Sequence, residues 1–448
     1  MRLSRRRMLT SVAAIAATAT ISAPYVRGAH AAGKLTMGLW DHWVPGANIT
    51  MDRIINDWGT KNNVEVAIDH IASIGGKLVL TAAAEEAGGA GHDFLSYYGN
   101  WQTAVHRKRL EPVDDIVTGL IKQYGPLNPM IEYLTKHDGH FMSVPATAMS
   151  NLFPAVSRLD LYQQHTGLDL KKMFPAAPSR DQALVDTWDW NLYLSSAEKL
   201  FKAGYPVGLP MGQTADTYDW ISVLFRSFGS VFVDEKDNIK VDSDETRVAL
   251  EYVKKLLAVN PPEVYAWDDA GNNKWLISGK GSSIFNPPSA WAVAVRDSPK
   301  VAEQCWHHDI PRGPKGRFAP YNVQVYGIWE FSKNKGAAKA LITHLSQREQ
   351  VQQLVSASHG YDIPAFQSFA NFDTWAKEGP PQGTLYNYPL RGDNASDVVG
   401  YPARPDEASQ ITEQVVQPLM VAKVTAGGES FDSAIKWAAS ELESYLRA

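Results

Sequence analysis

The sequence predicts an α/β protein built around an open, mostly parallel sheet. Short apolar runs at 34–40, 64–68 and 92–96 have the pattern of strands, and helical patterns at 50–62 and 75–87 separate them. Strands that alternate with helices form right-handed βαβ units, in which the strands are parallel. The composition, 44% hydrophobic and 20% charged, is that of a globular protein with a sizeable core.

The first 31 residues predict export from the cytoplasm. Residues 4–9 read S-R-R-R-M-L, an apolar stretch follows at 12–21, and A-H-A stands at 29–31. The stretch is shorter than the ~20 residues that span a bilayer, so it indicates a removable signal peptide, residues 1–31. The motif resembles a Tat signal, and an ordinary Sec signal with a basic start is the alternative. We expect a soluble periplasmic protein.

Charge and cysteine content exclude several classes of partner. The signal holds five arginines and no acid, so the net charge of −5 becomes −10 when it is removed. An acidic chain without a run of Lys and Arg is a poor binder of nucleic acid. Cys305 is the single cysteine, which excludes an internal disulfide and predicts a small buried side chain.

Aromatic residues in loops indicate the kind of ligand. The chain has 14 tryptophans, 18 tyrosines and 15 phenylalanines. Many of them stand beside Asp, Asn, Gly or Pro in segments that have neither helical nor strand periodicity. An indole face next to hydrogen-bonding side chains suits a sugar ring, which is apolar on one face and hydroxylated at its edge. In open α/β sheets such loops meet at the carboxyl ends of the strands.

A family resemblance rests on several short motifs in order. They are L-E-P-V-D-D at 110–115, R-L-D-L-Y at 158–162, T-W-D at 187–189, S-G-K-G at 278–281 and P-R-G-P-K-G at 311–316. In this order they resemble the extracellular solute-binding proteins, family 1 (maltose-binding-protein-like), of ABC sugar importers, over nearly the whole mature chain. The sequence departs from the usual form at 150–155, where N-L-F-P replaces a strand that bears tyrosine and asparagine.

The resemblance implies a two-lobed periplasmic-binding-protein fold, type II-like, with hinge crossings and an interlobe cleft. We expect crossings near 148–151, 321–325 and 369. One lobe would comprise 34–148 plus 325–370, and the other 150–322 plus 371–448. Clefts between lobes are usual ligand sites, and hinge closure around the ligand is typical. The implied partners are a small-molecule ligand and the membrane subunits of an ABC permease, and we expect a monomer without a cofactor.

Candidate ligand contacts in the first lobe follow the first and third strands. Trp43 is the strongest of them, because V-P-G at 44–46 indicates a turn rather than core. His42 is as easily a hydrogen-bonded loop histidine, and Trp101 a core residue. The full set is Asp41, His42, Trp43, Tyr98, Asn100 and Trp101.

Candidate contacts in the second lobe lie in polar loops. Three of the aspartates, Asp216, Asp219 and Asp268, could instead cap helices, and Asn286 before two prolines could be a turn residue. The set is Gln213, Asp216, Tyr218, Asp219, Trp220, Trp267, Asp268, Asn272, Asn273, Asn286, Ser289, Trp291, Tyr321, Asn322 and Gln324, with Tyr361 and Asp362 in a glycine turn. Trp188 and Trp190 are predicted to be structural.

The charge of these loops narrows the cargo. Segments 41–46, 96–103, 211–220, 267–273, 286–291 and 320–324 contain neither Lys nor Arg. Anion sites usually use arginine or a helix N-terminus, so a neutral mono- or oligosaccharide is expected over an anionic ligand. A polyol or a quaternary amine is the alternative cargo, since aromatics with aspartates also bind ammonium groups.

A secreted glycan hydrolase is the competing class, with Asp268–Asp269 or Asp216 and Asp219 as its acids. The sequence has no nucleophile elbow, H-E-x-x-H motif or P-loop. The adjacent His307 and His308 lack the helical spacing of metal ligands and are predicted to be structural. We therefore expect a binding protein without catalysis or a bound metal.

Overall fold

The computed structural model describes residues 34–97, 101–152, 154–176, 179–378 and 394–446. The chain forms an α/β structure, as the sequence predicts. The strands are β1 (Leu35–Trp40), β2 (Val66–Ile71), β3 (Phe94–Tyr97), β4 (Lys136–His137), β5 (His140–Phe141), β6 (Val144–Leu152), β7 (Ala155–Arg158), β8 (Ser283–Phe285), β9 (Cys305–His308), β10 (Phe318–Ile328) and β11 (Ala395–Asp397).

Helices lie between the strands in sequence and also follow the last of them. They are α1 (Pro45–Asn62), α2 (Lys77–Gly88), α3 (Gln102–His106), α4 (Asp114–Tyr124), α5 (Pro129–Thr135), α6 (Leu159–Thr166), α7 (Leu170–Met173), α8 (Gln182–Asp186), α9 (Trp190–Lys202), α10 (Ala215–Phe228), α11 (Asp244–Leu257), α12 (Gly271–Ile277), α13 (Ser289–Asp297), α14 (Pro299–Ala302), α15 (Lys335–Leu345), α16 (Arg348–Ala357), α17 (Thr374–Glu378), α18 (Pro405–Glu413), α19 (Val416–Thr425) and α20 (Phe431–Leu446). Short 3₁₀ turns lie at Ile74–Gly76, Arg107–Arg109, Pro262–Ala266 and Gln367–Phe369.

The larger sheet begins with the predicted parallel units. Its strand order is β11-β10-β3-β1-β2, with β6 paired to β10. Strand β1 is parallel to both β2 and β3, which confirms the βαβ reasoning. Helix α1 starts at Pro45, not at residue 50, because proline is favoured in the first turn of a helix. The V-P-G segment is therefore a helix start, and our interpretation of it as a simple turn was wrong.

Strand β10 connects the parts of the larger sheet. It is 11 residues long and antiparallel to β3 and β6, and its first residues are parallel to β11. Its pairing with β6 is irregular between Val323 and Val325, so Gln324 stands at the break. A local break of this kind redirects the side chains around it.

A second sheet is antiparallel and small, with the order β8-β7-β9. Strand β9 carries Cys305, His307 and His308, all of them buried. Burial lowers the pKa of both histidines to about 3, so they are neutral, and it raises the pKa of the Cys305 thiol to about 12. These three residues are structural, as predicted.

The chain after residue 394 contacts both halves of the molecule. Ser222 Oγ on α10 donates to Asp397 Oδ2 at 3.1 Å, and Arg107 Nη2, which follows α3, lies 2.6 Å from Asp406 Oδ2 on α18. Within the described residues, no helix has the length and apolar character needed to cross a membrane.

A substitution at a buried tryptophan tests the packing of the core. Trp188 is fully buried, and its Nε1 donates to the carbonyl of Asp309 at 3.0 Å. We expect Trp188→Ala to lower the free energy of unfolding by about 3–5 kcal/mol, measured by urea denaturation, because it empties a large core position. Phe201→Ala is the control, since Phe201 is 43% exposed. Equal losses in the two variants would contradict the core position of Trp188.

Candidate functional site

A histidine and an aspartate form the centre of the first part of the site. His42 lies just after β1, and Asp362 follows the 358–360 turn that ends α16. The His42 Nε2 atom is 3.1 Å from Asp362 Oδ2, and both side chains are buried. The backbone N–H of Val44 donates to His42 Nδ1 at 2.8 Å. Because Nδ1 is an acceptor, the ring proton lies on Nε2 and is donated to the carboxylate.

Aromatic rings enclose this pair. The ring of His42 lies 4.6 Å from Trp40 and 5.1 Å from Tyr361, between ring centroids. Trp43 packs edge-on against Trp40 at 6.4 Å and keeps part of its surface exposed. Asn48, on the first turns of α1, accepts from the His42 N–H at 3.1 Å and donates to Asp41 at 2.7 Å. The loop at 41–43 is thus held by α1 rather than free.

A cavity of about 30 Å³ lies against the same pair. His42, Asp362, Ser96, Gln324 and Tyr326 contribute to its wall. Gln324 is 3% exposed, and its Nε2 has no hydrogen-bond partner among the residues that the structure describes. A buried donor without a partner is uncommon, which suits a group that binds a ligand or water.

The second part of the site lies along α10. Thr214 is the N-cap of this helix, so Asp216 and Asp219 do not cap it. Their partners are amides: Asn272 Nδ2 donates to Asp216 Oδ2 at 2.7 Å, and Asn322 Nδ2 donates to Asp219 Oδ2 at 3.3 Å. The capping alternative for these two aspartates is therefore wrong.

Burial sets the protonation of this group. It raises the pKa of Asp216 to about 8, with the nearby Asp269 adding to the effect. It raises the pKa of Asp219 well above its ordinary range, with Asp216 as the next cause. It raises the pKa of Asp397 to about 7, although the guanidinium of Arg226, 3.3 Å away, opposes the change.

A chain of amides and a hydroxyl extends from Asn272. Asn273 Nδ2 donates to Ser289 Oγ at 3.2 Å, and Asn286 Nδ2 donates to Asn273 Oδ1 at 2.5 Å. Ser289 Oγ in turn donates to Asn286 Oδ1 at 3.3 Å. The bonds link α12, the loop after β8 and the start of α13, so Asn286 is more than a turn residue.

Strand β10 brings the two parts together. Asn322 bonds to Asp219 on α10, and two residues later Gln324 lines the cavity beside His42. Residues two apart on a strand are about 7 Å apart along the chain. Tyr321, on the same strand, is buried at 5% exposure.

Several predicted residues lie elsewhere. Trp291 packs into a small hydrophobic cluster with Leu276 and Ile284, so it is a core residue and we withdraw it from the site. Trp220 and Trp101 are likewise buried core residues. Tyr98 and Asn100 lie outside the described residues.

The remaining candidates lie at the surface. Trp267 packs against Trp275 with their rings tilted by 42° and 5.8 Å between centroids, and both line an open groove that also includes Asp268. Asp268 is exposed and accepts from the N–H of Ala270 at 3.1 Å, so a local structural role is sufficient for it. Gln213 is exposed and Tyr218 is partly buried.

Sequence reasoning missed three polar residues of the site. Asn48 could have been found, because it stands one helical turn into α1 and can reach back to the loop before it. Asp269 adjoins a residue that was chosen, and its Oδ1 accepts from the N–H of Ala215 at 3.2 Å. Asp397 gave no local signal, since only the tertiary fold brings it to α10.

The comparisons with known structures identify the fold. Maltose-bound MalE3 of Thermotoga maritima is 19% identical, with a TM-score of 0.73 over 92% of this chain and 99% of that one. A sugar transporter of Arthrobacter chlorophenolicus with bound laminaribiose is 14% identical, with a TM-score of 0.70 over 93% and 99%. A solute-binding protein of Agrobacterium vitis with bound D-mannitol is 20% identical, with a TM-score of 0.65 over 92% and 98%. These likenesses establish the two-lobed periplasmic-binding-protein fold.

Comparison of the sequence with protein families gives one match. Residues 169–352 match the family of bacterial extracellular solute-binding proteins, the family that the short motifs resemble. No curated protein sequence matches the chain.

Protonation of the buried aspartates makes stability depend on pH. Asp216, with its pKa raised to about 8, keeps a proton in the folded chain that the unfolded chain releases above its ordinary value of 3.8. The folded state therefore binds more protons, and the free energy of unfolding falls as pH rises from 6.5 to 8. We expect Asp216→Asn to make this slope shallower, measured by urea denaturation at several pH values.

Histidines that titrate near this pH range also affect stability, but they are present in both wild type and Asp216→Asn. Burial lowers the pKa of His307 and His308 to about 3 from an ordinary value of 6.5, so they oppose this trend most strongly below about pH 7, and they do so equally in wild type and variant. The pKa of His92 is raised by the hydrogen bond that its ring donates to the Glu85 carboxylate, and this effect on stability is the same in wild type and variant. An unchanged slope in Asp216→Asn would show that Asp216 is ionised in the folded chain.

Proposed function

We propose that this protein is the substrate-binding protein of an ABC importer, and that it captures a carbohydrate without negative charge in a cleft between two lobes. The main support for the proposal is the position of strand β10, which contributes residues to both parts of the site. On this strand Asn322 bonds to Asp219, which with Asp216 forms the acidic face of α10. Gln324 lines the cavity beside His42 and Asp362. A ligand at β10 would therefore meet polar groups from both sides.

The lobes of this proposal keep the bounds expected from the sequence, 34–148 plus 325–370 and 150–322 plus 371–448. The long pairing of β6 with β10 supports crossings in these two strands, since their ends meet different neighbours. The contacts of Asp397 with Ser222 and of Asp406 with Arg107 support a position of the residues after 394 near the junction of the proposed lobes. Closure of the lobes would bury the ligand.

The binding chemistry combines stacking with hydrogen bonds. Trp43, which is partly exposed, provides aromatic surface near His42, and the amides of Asn272, Asn286 and Asn322 provide donors and acceptors. In a closed cleft, a ligand that lacks one hydroxyl leaves a buried polar group unpaired, at a cost of ~1–3 kcal/mol. This cost supplies selectivity among similar sugars.

We infer binding without catalysis. Asp216 and Asp219, three residues apart on one helix, lie on the same side, whereas the two acids of a glycosidase flank the scissile bond. The relatives by fold are binding proteins, and their bound maltose, laminaribiose and D-mannitol support a sugar or polyol here. Export by the Tat-type signal at 1–31, delivery to permease subunits and a monomeric state complete the proposal.

A ligand screen tests the function. The mature protein is heated with sugars, polyols, quaternary amines and sugar phosphates, and its melting temperature is recorded. A ligand that binds only the folded state raises stability by RT ln(1 + [L]/Kd). We expect sugars or polyols to stabilise the protein and to be recovered unchanged. Stabilisation by phosphorylated compounds alone, or conversion of a sugar into products, would overturn the proposal.

A tryptophan variant tests the proposed stacking surface. We expect Trp43→Ala to weaken binding of the best ligand by roughly five-fold or more in calorimetry, because a lost aromatic contact costs on the order of 1 kcal/mol. The fold should be retained, since Trp43 is partly exposed. Trp437→Ala is the matched control: Trp437 is also partly exposed, but it lies on α20 next to Lys423. Equal affinity in wild type and Trp43→Ala would remove Trp43 from the site.

A further inference from the structure

The acidic face of α10 has free acceptors. Asp216 and Asp219 each use Oδ2 to accept from an asparagine amide, and among the described residues the Oδ1 atom of each accepts no bond. Residues three apart on a helix are neighbours, at about 5–6 Å between Cβ atoms. The two free oxygens therefore belong to one small region at the start of α10.

A third acceptor is independent of the carboxyl groups. Asn322 is 3% exposed, and its Nδ2 is used in the bond to Asp219. Its Oδ1 is buried and has no hydrogen-bond partner among the described residues. An asparagine oxygen that is buried without a donor costs free energy unless a ligand or water supplies one. Since Asn322 is fixed to Asp219, this oxygen lies at the same region.

The chemistry of the three acceptors selects the ligand group. A hydroxyl brings one donor and two acceptor lone pairs, so against three acceptors its lone pairs have no donor to meet. A primary ammonium brings three donors and no acceptor. Burial raises the pKa of both acids in the absence of a cation, and a bound ammonium would lower it and favour the carboxylate form, in which both Oδ1 atoms accept hydrogen bonds. The described hydrogen-bond partners of the two acids are neutral amides.

We propose that the cargo carries a protonated primary amine, as an amino sugar or amino polyol does, and that Asp216, Asp219 and Asn322 bind this amine. The inference rests on the proposed function and specifies its substrate class. The aromatic surface around His42 and Trp43 would then contact the rest of the cargo.

The surrounding charges agree with a cationic group. Asp269 lies close enough to raise the pKa of Asp216, which adds a further acid to the region. Arg226, further along α10, is paired with Asp397 and is not free to neutralise the first turn of the helix. A quaternary ammonium is a weaker fit, because it has no N–H donors for the three oxygens.

Matched ligand pairs test the proposal by calorimetry on the mature protein. The pairs are D-glucosamine with D-glucose, D-galactosamine with D-galactose, and 1-amino-1-deoxy-D-sorbitol with D-sorbitol. We expect the amino member of at least one pair to bind ten-fold or more tightly than its neutral partner. The N-acetyl derivative, which has neither the charge nor three donors, should lose this gain.

A charge-removing variant locates the interaction. Asp219→Asn keeps the shape of the side chain and removes its ability to carry a negative charge, and we expect it to reduce the ratio of amine affinity to neutral-partner affinity by ten-fold or more. Glu251→Gln is the control, since Glu251 is an exposed acid paired with Lys255 on α11. Thermal melts of both variants show whether they are folded.

The outcomes separate the two proposals. Neutral members that bind as tightly as amino members, or a preference unchanged in Asp219→Asn, overturn the amine and leave carbohydrate binding intact. Failure of all amino and neutral members to bind, in a folded protein, overturns the amine and the proposed carbohydrate function together.

Discussion

The pairing of β10 is the constraint on which the candidate site depends. This strand pairs with three others, β3, β6 and β11, and ten of its 11 residues are buried. Its side chains therefore meet groups that are far apart in sequence, Asp219 through Asn322 and the His42 region through Gln324. Moving the strand by one residue would turn each of these amides to the opposite face of the sheet.

The acidic side chains in the two parts of the site have different kinds of hydrogen-bond partner. In the first part the acid Asp362 has a ring N–H as its partner, and the ring is oriented by the backbone of α1. In the second part the acids have side-chain amides as partners, and burial keeps a proton on them more easily. An amide contributes a hydrogen bond without a charge, so it fixes the position of a carboxyl group while leaving its charge to be set by the ligand. The acids on α10 are thus positioned by neutral groups, and the charge of a bound ligand can set whether they are protonated.

Local patterns in the sequence correctly predicted the first strands and helices of the fold. The alternation of strands and helices from 34 to 97 appears in the structure, and its main error, the start of α1, arose where proline serves turns and helix starts equally. The burial of Trp188 and Trp190 was also predicted. The meeting of His42 with Asp362 joins residues 320 apart in sequence, and nothing local in the sequence determines their contact. Trp291 shows the reverse problem, because a tryptophan after a strand gives the same pattern whether it faces the core or a ligand.

The proton position on His42 connects this geometry to ligand binding. With Nδ1 occupied by the Val44 N–H, the imidazole can offer only its Nε2–H, and Asp362 already accepts it. His42 therefore has no ring nitrogen left to bond a ligand directly, although it was among the residues chosen from the sequence. Its role in a site would be to hold the 41–43 loop and the 358–362 turn together, so that the partly exposed Trp43 is presented in a fixed position. A rigid aromatic surface loses little side-chain entropy when a ligand stacks on it, so more of the contact energy is retained as affinity.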